Sequence, residues 1–258
     1  MKKYTKLLLL FLLTITLTGC RFLKPKPVVE PTSEPVKVMI TSADIETMEK
    51  ARDAIFDVEK ESLKVSDLTD AERGAVARKL VVYYQEKSGT EMAKEYNKYF
   101  GEGEVVFEDI PCFEKHNKEE EQTLLIFDKE QDKYITNPNH PGHGGGGQVS
   151  TQVKMIADSY SVDGETYIYN AKVLFYGPFW CYDVGGCEYG KAYKSAKDAK
   201  NETNPLADIS ANYMKETDGP PTADIDKVME DVKDKLDTYQ FIFEKIDGNL
   251  VFKEYKKA

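Results

Sequence analysis

Histidine and cysteine, the side chains most used for metal binding and nucleophilic chemistry, are scarce in this chain, at three and four among 258 residues. No CxxC, HExxH or GxSxG spacing occurs, so the local signatures of a zinc ribbon, a zinc peptidase and a serine-hydrolase elbow are missing. No paired nucleophile and base stands at motif spacing either, which gives no catalytic residues to name; a triad assembled only in space stays open. Basic charge is also short. Lys and Arg number 35 against 45 Asp and Glu, a net charge of -10, which repels nucleic acid and anionic headgroups. The acidity serves solubility, or an acidic surface for a basic partner. Long apolar runs are lacking as well. The one sustained run, Leu7 to Leu17, has eleven residues, whereas a helix rising about 1.5 Å per residue needs roughly twenty to cross a bilayer.

What is present begins with that run. Lys2, Lys3 and Lys6 precede it as a positive segment, and Leu17-Thr18-Gly19-Cys20 closes it, the order of a secretory leader ending on a cysteine. These twenty residues resemble the leader of bacterial lipoproteins, whose lipobox ends on a modified cysteine. The resemblance implies that the Cys20 thiol receives a diacylglycerol, that a peptidase cuts before it, and that fatty chains such as palmitate hold the mature chain to the cell membrane, facing outside the cytoplasm. One chain holds marginally and two hold stably, at about 0.8 kcal/mol per buried methylene. The alternatives are an ordinary secretory leader with a chance cysteine, and a short uncleaved anchor. Cleavage leaves 239 residues, and loss of the three leader lysines moves the net charge from -10 to -13.

The expected organisation is a signal peptide over 1–19, a lipidated Cys20 with a tether to residue 37, and a single α+β domain over 38–258. The tether carries Pro25, Pro27, Pro31 and Pro35. At about 3.1 Å per residue, its polyproline-like chain reaches roughly 50 Å from the lipid.

Apolar spacing predicts helices over 42–63, from Thr69 towards Gly89, and over 90–100. Ile45, Met48, Ala51, Ile55 and Val58 form the first stripe, with Ser42 as N-cap. Thr69 and Glu72 have capping-box spacing, with Val76, Leu80, Tyr83 and Tyr84 as the buried side of the second. Runs over 104–110, 123–127 and 133–136 read as strands. A hairpin spans 151–176 around Asp163-Gly164, and another closes the chain around Asp247-Gly248. In the first hairpin Tyr167, Tyr169, Ala171, Val173 and Phe175 share one face, expected to be the core. Between the hairpins, 177–237 reads as a large insertion containing an exposed helix over 222–236.

Helices first and long antiparallel hairpins after them make an α+β protein, N-terminal helices packing on a curved, mainly antiparallel sheet. The element order resembles the nuclear transport factor two superfamily, in which a helical layer closes one side of a curved sheet. That superfamily includes enzymes, binding modules and bare structural domains, so the resemblance implies a fold and leaves the activity open.

Three stretches carry candidate chemistry. His140 and His143, in a proline- and glycine-rich segment ending in four glycines, are spaced to share a metal in a turn; neighbouring ligands are lacking, and a surface loop is the other reading. The four glycines are not followed by the Lys-Ser or Lys-Thr of a phosphate cradle. Phe179, Trp180 and Tyr182 head an aromatic stretch that serves either as a stacking platform for an amphipathic ligand or as a lid on the sheet. Cys181 and Cys187 flank a Gly-Gly turn and can pair as a disulfide, which leaves the state of Cys112 open. No cofactor is implied. The expected function is a non-catalytic module binding a small molecule or protein; the alternatives are an anchored enzyme working at the open end of the sheet and a structural envelope protein.

Overall fold

A long strand at the centre of the sheet decides where everything else packs. In the computed structural model, residues 39–111, 123–140, 147–149, 151–182, 186–215 and 222–258 are described, with 147–149, 178–182 and 186–189 described by backbone alone. Cys20, Cys112, His143 and the whole leader and tether lie outside these residues. Ile40–Ala258 is one compact unit.

The helices are α1 Ser42–Ile55, α2 Asp70–Lys79, α3 Gly89–Phe100, α4 Ala196–Asn201, α5 Ile209–Asn212 and α6 Ile225–Val232. The strands are β1 Ser62–Lys64, β2 Ile110–Pro111, β3 Thr123–Asp128, β4 Lys133–Thr136, β5 Gly147–Val149, β6 Gln152–Asp163, β7 Thr166–Tyr182, β8 Gly186–Tyr193, β9 Ala207–Asp208, β10 Met214–Lys215, β11 Thr222–Ala223, β12 Thr238–Ile246 and β13 Asn249–Lys257. The main sheet runs β1-β13-β12-β7-β8-β9, with β5 and β6 on the other edge of β7, and every pairing in it is antiparallel. The protein is therefore α+β, with its helical layer contributed first in the chain.

Local chemistry explains the helix starts. Thr41, Thr69 and Ser88 each accept from the backbone N–H three residues on, while Asp44, Glu72 and Glu91 reach back to the cap, giving three reciprocal capping boxes. Thr41 caps α1, not Ser42. The ends depart further from expectation because tertiary contacts win. Helix α1 stops at Ile55, short of residue 63, where Phe56 turns extended and sends its ring edge-on to Tyr239, with centroids 5.3 Å apart. That releases 62–64 to become the edge strand β1 beside β13. Helix α2 likewise ends at Lys79: Tyr83 takes a left-handed conformation and is 74 % exposed, and Tyr84 folds edge-on to Tyr134 instead of continuing a helical stripe. Residues 104–109 form no strand. They cross α2 so closely that a Cβ on Gly74 would stand 2.0 Å from the Val106 carbonyl oxygen, and the Val106 N–H donates to the Asp70 carbonyl.

The sheet follows its pattern closely. Tyr167, Tyr169, Ala171, Val173 and Phe175 are all buried on the face beneath α1 to α3, joined there by Phe241, Phe243, Phe252 and Tyr255. Asp247 and Gly248, both at positive φ, make the two-residue turn between β12 and β13. The supposed insertion over 177–237 is partly sheet. Strand β7 runs on to Tyr182 and pairs with β8, so the aromatic and cysteine stretch belongs to the main sheet. Helix α6, expected to be exposed, packs Val228, Met229 and Val232 on Leu174 and Ala192, covering part of the second face.

Candidate functional site

On one edge β7 changes neighbours. It pairs with β12 from Thr166 to Lys172 and with β8 from Phe175 to Tyr182, and at the change-over the Val173 N–H donates to the Asp237 carbonyl. Two strand ends meet at this junction, Lys194 just past β8 and Asp237 just before β12. Their side chains close it with an ion pair of 2.8 Å. Lys257, at the end of β13, reaches the other Asp237 oxygen at 2.8 Å and also pairs with Glu61 at 3.1 Å. The result is an alternating chain, Lys194–Asp237–Lys257–Glu61, across the end of the sheet.

Beside this chain opens a cleft of about 850 Å³ between the α1–β1 connection and α4. That volume suits a small organic ligand. Phe175 and Tyr239 lie at its base, Val58 and Ala196 on opposite walls, and Lys197 and Lys200 on the α4 side. Lys200 faces Glu59 across the mouth at 3.6 Å, with both side chains about three-quarters exposed.

The electrostatics of the chain are those of settled ion pairs. Burial opposes ionisation of Asp237, yet the hydrogen bonds from Lys194 and Lys257 outweigh it and hold the carboxyl below its usual range. The hydrogen bond to Asp237 is the main influence that pushes the Lys257 ammonium above its ordinary value. On α4, Asp198 is held low by hydrogen bonds from Ser195, Asn204 and Thr203. Each group is driven deeper into its charged form, the reverse of the tuning towards neutrality that a general acid or base requires.

Of the candidate site residues singled out from the sequence, those that are described stand at other positions in the fold. His140 ends the turn after β4, where its N–H donates to the Asn137 carbonyl at 3.1 Å and the Asn137 side chain donates to Thr123. Among the described residues no three His, Cys, Asp or Glu side chains gather as a metal site. Phe179, Trp180 and Tyr182 are backbone positions on β7, Trp180 opposite Gln148 of β5 and Glu188 of β8; their side chains lie outside the description. Cys181 and Cys187 are Cα partners across β7 and β8. Lys194, Asp237 and Lys257 escaped sequence reading because each is a single charge at a strand end, and only the pairing order brings the three ends together. No family model, curated protein or solved structure matches this chain.

Proposed function

We propose that this chain is an extracytoplasmic protein held to the cell membrane by lipid on Cys20, and that its α+β unit is a non-catalytic binding module using the cleft beside Asp237. The observation that carries the anchoring is the sequence of the leader: three lysines, an eleven-residue apolar run, then Leu17-Thr18-Gly19-Cys20. The cleft supports binding over catalysis, because Asp237, held between Lys194 and Lys257, is driven towards its charged form and away from the tuning of a general acid or base. Register supports a Cys181–Cys187 bridge in the exported chain, since directly opposed strand positions bring two backbones within reach of a disulfide.

Fractionation of cells producing the wild-type chain and Cys20→Ala tests the anchor. Wild-type protein is expected in the membrane fraction, solubilised only by detergent, and the variant in the soluble extracytoplasmic fraction. Equal membrane retention of both would remove the lipid from the account.

A further inference from the structure

The cleft's charges balance in number but differ in how far they are already partnered. Four lysines and four acids line it, namely Lys194, Lys197, Lys200 and Lys257 against Glu59, Glu61, Asp198 and Asp237. Two of the acids are already consumed. Asp198 accepts from Ser195, Thr203 and Asn204, and Asp237 lies between two ammonium groups with its side chain only 15 % exposed. The lysines keep donors to spare, because an ammonium has three N–H groups. Lys194 pairs with Asp237 alone and is half exposed, and Lys197 makes no ion pair among the described residues. In a chain of net charge -10, the cleft is thus locally balanced, four ammonium groups against four carboxylates, and Lys194 and Lys197 are its least committed cations among the described residues. Beneath them the lining turns apolar, through Val58, Ala196, Phe175 and Tyr239.

From this arrangement we infer that the cleft binds an anionic amphiphile, a carboxylate or phosphate head on an apolar body, with the head on Lys194 and Lys197 and the body towards Val58 and Ala196. The inference rests on reading the protein as a binding module and names the class of ligand. The head takes donors from Lys194, fixed beside Asp237 at the end of β8, and from Lys197 on α4. The apolar body supplies the hydrophobic contact that an inorganic anion lacks.

Calorimetric titration of the full chain carrying Cys20→Ala tests it, using octanoate, octyl phosphate, octanol, octyltrimethylammonium and inorganic phosphate. One of the two anionic amphiphiles is expected to bind at a single site, and whichever binds more tightly identifies the head. Octanol and octyltrimethylammonium are expected to bind at least about tenfold more weakly, and Lys194→Gln and Lys197→Gln to weaken the anion about fivefold each. Lys197 is exposed, so its variant keeps the test independent of folding. Equal binding of octanol or the cationic amphiphile would overturn the ligand class and leave a binding module standing. Inorganic phosphate binding as tightly as octyl phosphate would overturn the apolar half of the proposal. Failure of all five would remove the cleft as a binding site, and with it the reading on which the inference rests.

Discussion

The two faces of β7 are built from alternate residues of one strand and meet different fates. Towards the N-terminal helices, Tyr167, Tyr169, Ala171, Val173 and Phe175 enter an aromatic core in which Phe241 and Phe252 are fully buried. Towards the other side, Leu174 is fully buried beneath α6, whereas Asn170 joins a polar row, accepting from Gln240 at 3.4 Å and donating to Ser159 at 3.0 Å. From Tyr167 to Phe175 the first face is buried at every position, among rings and the helices α1 to α3. Over the same span the other face is sealed only at Leu174, by a short amphipathic helix. The contrast teaches that alternation shows which residues share a face, and that a separate element decides how far each face is sealed.

Substitutions sharpen that contrast in descending order of effect. Phe241→Ala, in the ring-filled core, should cost about 3–5 kcal/mol in chemical unfolding, because neighbouring rings cannot collapse into the space. Leu174→Ala should cost about 2–4 kcal/mol; a cost as large as that of Phe241→Ala would mean that the second cluster is no satellite. Asp237→Asn should cost about 2 kcal/mol, since it weakens two charge-assisted hydrogen bonds and leaves Lys257 less well paired. Its pH dependence follows from the same geometry. The folded carboxyl titrates below its unfolded value of about 3.8, so the contribution is complete above that value and is lost as acid carries the pH down through the folded pKa. Wild type should therefore lose its advantage over the Asn variant as the pH falls below about 4. Asn170→Ser, on the open polar row, should stay within about 0.5 kcal/mol of wild type.

The elements easiest to read from sequence were those governed by neighbours along the chain. Thr69 with Glu72, the Asp247-Gly248 turn and the alternating run from Tyr167 to Phe175 all formed as their spacing implied. Misreadings arose where a distant partner intervened. Phe56 leaves its helix for the aromatic cluster, Val106 follows α2 instead of pairing, and α6 carries enough charge to look solvated although Val228, Met229 and Val232 are buried. The cleft was illegible for the same reason. Lys194, Asp237 and Lys257 meet only because β7 exchanges β12 for β8 along a single edge.

The most direct measurement on the anchored-module account is mass spectrometry of the protein extracted from the membranes of its producing cells. The account predicts an N-terminal peptide that begins at Cys20 and carries the added mass of a diacylglycerol. A chain that retains Met1, begins at another residue, or shows Cys20 with an unmodified thiol would contradict it.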